Sequence, residues 1–174
     1  MKHSPLTLMA IRFTEVNIAS TPDGDDSDVD KVDVEIELEP FHPPENKREW
    51  CVPLTVEFKP KDGTKAPYSG ELEAFGFFSV SENWKENEIE KLVYINGGGI
   101  VYAAIREMLT NVTARGFFAP LILPSCSFAE MYKEMEEEKK KQLRNLQREQ
   151  AQKIQAILTP EQREKFKASR QNNS

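Results

Sequence analysis

Alternating apolar and polar positions over the first eighty residues predict four β-strands. The clearest covers 31–39, where Val32, Val34, Ile36 and Leu38 share one face and charged residues occupy the other. Alternation this regular indicates a sheet with one buried and one solvated face, which is usually antiparallel. The same pattern predicts the remaining strands at 6–19, 49–58 and 68–80.

Irregular positions add detail to these strands. The apolar residues of 6–19 change parity near Thr14 and Glu15, which predicts a β-bulge. Pro53 lies inside the third strand and has no amide hydrogen to donate, so it predicts an edge position or a bulge. Residues 20–28 are rich in Asp, Ser, Pro and Gly, a composition typical of a loop.

After residue 80 the apolar spacing becomes helical. A short helix is predicted over 86–94, followed by a hinge at Gly97-Gly98-Gly99 and a second helix over 100–114. The second helix is apolar on two sides, and such a helix is deeply buried or contacts another subunit. Four short strands cannot cover both sides, so we predict a subunit contact. Its stripes are Ile100, Ala103, Ala104, Met108 and Val112, with Val101, Ile105 and Leu109 beside them.

The remaining chain predicts one more long helix. Residues 117–124 form an apolar extended segment, and Ser127 with Glu130 forms a capping box at the next helix start. Residues 128–157 contain no Gly or Pro, and Thr159-Pro160 predicts the start of another short helix. The fold class is therefore α+β, a four-stranded antiparallel sheet followed by a long helix and a C-terminal helix. We expect residues 1–135 to form the domain and 136–174 a charged helical extension.

Charge narrows the possible partners. The 174 residues carry a net charge of −6, but residues 128–174 hold 11 basic and 8 acidic side chains, which leaves the body strongly acidic. An acidic body repels phosphates, which argues against nucleic acid and favours a basic partner surface. No apolar run is long enough for a membrane helix, and Arg12 and Glu15 interrupt any signal-peptide core. We therefore expect a cytoplasmic protein without direct membrane insertion.

Few residues offer chemistry. Cys51, Cys126, His3 and His42 are the only cysteines and histidines, which is too few for a disulfide framework and argues against a zinc site. Gly97-Gly98-Gly99 lacks the spacing of a phosphate-binding loop. We therefore expect no cofactor, no metal and no enzymatic activity. Large aromatic residues crowd the small body, and they fill either an ordinary core or a partly open groove for extended chains.

One long stretch is similar to a known family. Residues 100–132, IVYAAIREMLTNVTARGFFAPLILPSCSFAEMY, resemble the C-terminal half of SecB, the bacterial protein-export chaperone. The segment GELEAFGFFSV at 70–80 resembles the fourth strand of that family, and the order of elements agrees. The matching positions are Arg106, Glu107, Arg115, Gly116, Phe117, Pro120, Leu121, Leu123, Pro124 and Phe128.

The resemblance implies a holdase that binds unfolded preproteins without ATP in apolar grooves. By position, the groove candidates are Trp50, Phe75, Phe77, Phe78, Trp84, Phe117 and Leu121. It also implies a homotetramer, assembled as a dimer of dimers through the helix over 100–114. The oligomer contacts would include Val101, Ile105, Met108 and Leu109.

The resemblance further implies delivery of clients to the SecA motor through acidic residues on the outer face of the sheet. Two such positions match Glu15 and Glu71, whereas Ala19 and Ser69 replace other members of the patch. Asp33, Glu35 and Glu37 are possible substitutes. Two alternatives remain open: a SecB-like chaperone dedicated to an antitoxin, and a non-chaperone adaptor that uses its C-terminal helix.

Overall fold

The computed structural model describes residues 4–157, with side chains up to Lys153. One antiparallel sheet in the order β1-β4-β3-β2 contains four strands: β1 (Leu6–Ser20), β2 (Val32–Leu38), β3 (Glu49–Pro60) and β4 (Tyr68–Val80). The helices are α1 (Ile89–Leu92), α2 (Gly98–Thr113) and α3 (Phe128–Ile157), with 3₁₀ turns at Asp26–Asp28 and Glu86–Glu88 and a π-turn at Val93–Gly97. The predicted α+β order is confirmed.

The chain divides into two compact units, one up to Tyr132 and one from Lys133 onward. The first unit contains the sheet, α1, α2 and the first residues of α3, and the described part of the second unit is the rest of α3. The short helix predicted from Thr159-Pro160 lies outside the described residues. No helix within residues 4–157 is both long and apolar enough to cross a membrane.

The core of the first unit lies between α2 and one face of the sheet, called here the inner face. Alternation along β3 and β4 brings large apolar side chains to this face, and most of them are completely buried. From α2, the fully buried side chains are Val101, Ile105 and Leu109. These three residues therefore fill the core of their own chain, because they are the positions of α2 that point at the sheet.

The predicted hinge at Gly97-Gly98-Gly99 is wrong. The chain stays helical from Glu86 to Thr113, and α2 begins at Gly98 directly after the π-turn. A Cβ atom on Gly98 would lie 2.8 Å from Leu38 Cδ2 and 2.9 Å from Phe128 Cδ1, so Gly98 permits close packing. A run of glycines predicts a break in a helix. Glycine also occurs inside helices where a neighbouring element packs so closely that a side chain would not fit.

The predicted edge position of Pro53 is also wrong, because β3 is a central strand with β2 and β4 on its two sides. The β2 ladder ends at the Leu38–Leu54 pair and resumes in the same register at the Phe41–Cys51 bridge. Pro53 lies opposite the gap between these two pairs. A central strand tolerates proline here because no neighbouring carbonyl requires the missing amide.

β1 contains the predicted bulge and a second one. Its register with β4 shifts between Phe13 and Glu15, as predicted, and also between Leu8 and Ala10. The second shift places Met9 outside the regular pairing, and this side chain is 68% exposed. Bulges of this kind redirect a side chain, and Met9 contributes to the pocket described below.

The segment between α2 and α3 is held by side-chain hydrogen bonds. The Tyr102 hydroxyl donates to Pro124 O at 2.7 Å, and the Leu121 amide donates to Thr113 Oγ1 at 3.0 Å. Burial raises the pKa of Tyr102 to about 12, so its hydroxyl remains a donor at neutral pH. Tyr68 donates its hydroxyl to Phe118 O at 3.1 Å. These bonds fix the segment and bury Leu121 completely.

We predict that Gly99→Ala stabilises the first unit by about 0.5–1 kcal/mol, because alanine favours a helix interior over glycine. A Cβ atom at this position meets nothing within 4 Å. Urea unfolding at a fixed chain concentration measures the change. A loss of stability would contradict a continuous helix through this glycine run.

We predict that Gly76→Ala destabilises the same unit by about 1–3 kcal/mol through overpacking. The new Cβ atom would clash with Val101 Cγ2 and lie 2.6 Å from Phe78 Cε2, and both side chains are buried. The measurement is again urea unfolding, with Gly99→Ala as the matched substitution in open space. Equal stability of Gly76→Ala and the unmodified chain would show that α2 does not pack closely on β4.

Candidate functional site

The candidate site lies on the outer face of the sheet, the face opposite α2. Because side chains alternate along each strand, the outward residues of β4 are Glu71, Glu73, Phe75, Phe77 and Ser79. They are acidic at one end of the strand and aromatic at the other. Phe77 and Glu73 are four residues apart, which separates them by about 13 Å along an extended strand.

An apolar pocket occupies the aromatic end of this face. It has a volume of about 460 Å³ and is lined by Met9, Phe41, Pro43, Glu49, Trp50, Cys51, Phe77, Phe78 and Ser79. Met9 is 68%, Phe41 54% and Phe77 40% exposed, so the pocket is open to solvent. Isolated exposed apolar residues are common on protein surfaces, but a cluster around a concave pocket is typical of a binding site.

The wall of the pocket is built by the chain after β2. Phe41 pairs with Cys51 through two backbone hydrogen bonds of 2.9 and 2.8 Å, and Cys51 pairs with Phe77 on its other side, so Phe41 and Phe77 flank Cys51 on the outer face. The indole of Trp50 donates to Lys47 O at 2.9 Å and meets the His42 ring edge-on at 4.7 Å. These contacts fix the turn that carries Pro43.

Cys51 lines this pocket but offers no nucleophile. Burial raises the pKa of the Cys51 thiol above its usual value, so the sulfur remains protonated at neutral pH. The chemistry that the pocket offers is therefore apolar contact. Such contact recognises large apolar side chains with little preference among them.

The structure brings together three of the seven groove candidates. Trp50, Phe77 and Phe78 line the apolar pocket, but Trp50 and Phe78 are buried and alternate to the inner face, so Phe77 is the one exposed ring among these three. Phe75 is half-buried on the same face, two residues from Phe77 along β4. Met9, Phe41 and Pro43 were missed. In the sequence Met9 alternates with Ile11 and Phe13, which assigns it to the buried face, and the proline-rich turn around Phe41 gives no periodic signal.

The other three groove candidates lie elsewhere. Trp84 is in the turn after β4, where its carbonyl accepts a hydrogen bond from Arg48 Nη1 at 2.9 Å. Phe117 follows α2 and is 92% exposed, stacked edge-on against Phe118. Leu121 is completely buried and therefore belongs to the core.

Two rows of glutamates cross the acidic end of the outer face, and we call them the acidic patch. Glu35 pairs with Glu57 and Glu57 with Glu71, so three carboxylates lie side by side on neighbouring strands. In the next row the outward residues are Glu37, Thr55, Glu73 and Glu15. Directly opposed like charges destabilise a sheet, so this arrangement is costly for the isolated chain.

Little within the chain neutralises the acidic patch. Among the described residues, its one ion pair joins Lys59 Nζ to Glu35 Oε1 at 3.6 Å, and both side chains are exposed. Such surface pairs contribute about 0–1 kcal/mol. The patch therefore presents net negative charge to a partner.

The acidic patch contains both predicted positions. Glu15 on β1 and Glu71 on β4 lie on adjacent strands of this face, and Glu35 and Glu37 extend the patch to the far edge. Glu57 and Glu73 were missed, although each shares the strand parity of its outward neighbours. The alternation of inward and outward residues along β3 and β4 assigns both glutamates to the outer face.

The oligomer candidates on α2 divide between two environments. Val101, Ile105 and Leu109 are buried under the sheet of their own chain, so they are not on the surface that α2 offers to another subunit. Met108 is half-buried on a different side. The exposed apolar residues of α2 are Ile100 at 37% and Val112 at 40%.

Comparisons with known proteins agree with this architecture. The family model described as "Preprotein translocase subunit SecB" matches residues 18–139. The protein-export protein SecB of Ehrlichia chaffeensis is 30% identical over 98 residues, which cover 52% of this chain and 56% of that protein. The chain thus matches about half the length of that SecB protein. An uncharacterized protein of Methanocaldococcus jannaschii is 26% identical over 129 residues, covering 74% of this chain and 82% of the relative.

A solved structure shares the fold. The Mycobacterium tuberculosis SecB-like chaperone Rv1957, solved in complex with a ChAD peptide from the HigA1 antitoxin Rv1956, superposes with a TM-score of 0.55. The two chains are 19% identical, and the match covers 71% of this chain and 91% of the other. Since the SecB model spans well over half of the sequence and the order of strands and helices agrees, this chain belongs to the SecB family.

Proposed function

We propose that this protein is an ATP-independent holdase that binds unfolded polypeptides at the apolar pocket and delivers them, in the cytoplasm, to the SecA motor. The observation that carries the proposal is the open pocket of about 460 Å³ lined by Met9, Phe41 and Phe77. It takes large apolar side chains, which native proteins bury and unfolded chains expose. Binding therefore favours the unfolded state of a client without nucleotide chemistry.

The acidic patch supports the delivery step. Six outward glutamates on four neighbouring strands create a negative field with one cationic side chain paired inside it, Lys59. A partner with a basic surface would relieve the repulsion between the opposed carboxylates, and charge complementarity speeds association. Glu15 and Glu71 lie on adjacent strands of this patch, on the same face as the pocket.

The apolar surface of the first unit supports self-assembly. β1 is an edge strand, and its inward residues Leu8 and Val16 remain 43% and 44% exposed on the inner face. Ile100 and Val112 of α2 are exposed as well. The layer that α2 forms on the inner face therefore leaves apolar surface uncovered. A second copy that covers these residues would complete the layer, consistent with the proposed homo-oligomer assembled as a dimer of dimers.

A dedicated antitoxin chaperone is the second candidate. The solved structure of the same fold contains a SecB-like chaperone in complex with a peptide from an antitoxin. Ala19 and Ser69 also replace residues of the acidic patch that the resemblance implies for the motor contact. In this candidate the apolar pocket has one specific client, and the acidic patch contacts the basic residues of that client.

We predict that Phe77→Ser lowers the affinity for an unfolded client about tenfold, because it removes roughly 1.5 kcal/mol of apolar burial on binding. Titration of a fluorescent, permanently unfolded client measures the affinity. Ile122→Ser is the matched control, since Ile122 is 62% exposed and lies outside the pocket. An equal loss in both variants, or in neither, would show that the pocket is not the client site.

We predict that Glu15→Gln combined with Glu71→Gln weakens binding to SecA about three- to tenfold at low salt and leaves client affinity unchanged. The control is Glu45→Gln with Glu82→Gln, which removes two exposed carboxylates outside the acidic patch. Calorimetry at two salt concentrations measures both affinities. If the unmodified protein does not bind SecA even at low salt, the delivery step fails and the antitoxin candidate is favoured.

A further inference from the structure

The edge of the sheet formed by β2 has a backbone register that can be read from its two ends. At one end the Lys61 amide donates to Lys31 O at 3.0 Å, and at the other Phe41 and Cys51 exchange two backbone hydrogen bonds. Both pairs share the register of β2 with β3. Antiparallel pairs alternate between hydrogen-bonded and non-hydrogen-bonded, so every second residue of β2, beginning with Asp33, directs its amide and carbonyl at β3.

The intervening residues of β2 direct their amides and carbonyls away from the sheet. They are Val32, Val34, Ile36 and Leu38. Among residues 4–157, no hydrogen bond reaches the amide or carbonyl of Val34 or Ile36. A strand edge with unpaired backbone groups is a template on which a further strand can pair.

The side chains along this edge differ between the two faces of the sheet. Asp33, Glu35 and Glu37 are exposed on the outer face, and Val34 and Ile36 are half-buried on the inner face. Successive carboxylates are about 7 Å apart along the strand. Within the described part of the chain, their one ion pair is that of Glu35 with Lys59 on β3. A strand added to β2 would therefore meet a row of carboxylates on one face and apolar side chains on the other.

We infer that β2 accepts, by antiparallel strand addition, an extended client segment with Lys or Arg at every second position and apolar side chains between them. The inference rests on the proposed function and names a class of client segment. The basic residues would lie opposite the carboxylates in non-hydrogen-bonded pairs, where the Cα atoms are only about 4.5 Å apart. The apolar residues would hydrogen-bond to the backbone of Val34 and Ile36 and cover their half-buried side chains.

Charge selects this occupant over a second copy of β2. Charged side chains on an edge strand usually prevent edge-to-edge pairing. In any antiparallel pairing of Val32–Leu38 with itself that keeps the apolar residues of both copies on one face, carboxylates lie directly opposite carboxylates, which destabilises the pair. Alternating basic residues turn the same row into an attraction, so the carboxylates both reject the second copy and attract the basic segment.

Peptide binding to the full-length protein tests the inference. The probe is a fluorescent peptide in which four lysines alternate with three valines, and anisotropy measures its affinity. We expect at least tenfold weaker binding of a peptide of the same composition with its lysines consecutive. N-methylation of the valine amides should also weaken binding at least tenfold, because these amides face β2. N-methylation of the lysine amides, which face away from β2, should change the affinity less than threefold.

Two variants of the protein test the same edge. Val34→Pro removes an amide that points away from β3 and leaves the ladder with β3 intact, so it should weaken peptide binding at least tenfold. Val34→Ala is the matched control, since it shortens the same side chain but keeps the amide, and its loss should be threefold at most. Asp33→Asn with Glu37→Gln should weaken binding about tenfold at low salt and reduce its salt dependence.

Five outcomes would overturn the inference. Equal binding of the peptide with consecutive lysines would show that net charge alone is recognised. Loss on N-methylation of the lysines rather than the valines would exclude antiparallel addition. A lower solution mass of Val34→Pro would place a second copy on the edge, and loss of peptide binding in Phe77→Ser would place the peptide in the apolar pocket. If an unfolded client binds through Phe77 and the peptide does not bind, the edge inference fails alone, whereas the proposed function fails with it if neither binds.

Discussion

The close contact between α2 and the central strands is the interaction on which the rest of the molecule depends. At Gly76 the backbone of β4 approaches the Val101 side chain so closely that a methyl group does not fit. This contact lets one helix seal the inner face of β3 and β4, where the apolar side chains are almost completely buried. Since α2 covers one face only, outward residues such as Phe77 remain partly exposed.

Regular alternation made the strands predictable from sequence. The bounds of β2 and β4 follow from period-two patterns, and the bulge near Thr14 follows from a change of parity. The predictions for Gly97-Gly98-Gly99 and Pro53 were wrong because they rest on the backbone preference of each residue type. The contacts with neighbouring elements decide what the residue does in the fold. Glycine permits close packing inside a helix, and proline is tolerated in a central strand opposite a gap in its neighbour.

The candidate site was predictable in part for the same reason. Phe77, Glu15 and Glu71 lie on regular strands, so parity assigns them to the outer face. Met9 and Phe41 escape prediction because a bulge and an isolated bridge place them, and both depend on long-range pairing. On α2, both sides are apolar, and only the position of the sheet distinguishes the core residue Ile105 from the exposed Ile100.

The glutamate rows also affect how the protein behaves towards its own copies. An open apolar pocket on the face of a sheet can associate with the same pocket of another copy. Such self-association would block both pockets. A stack in which the strands of the two molecules run in the same direction would bring Glu57 and Glu71 of one molecule against the like-charged rows of the other, and carboxylates closer than a Debye length of about 8 Å repel each other. Electrostatic repulsion therefore disfavours this orientation of self-association.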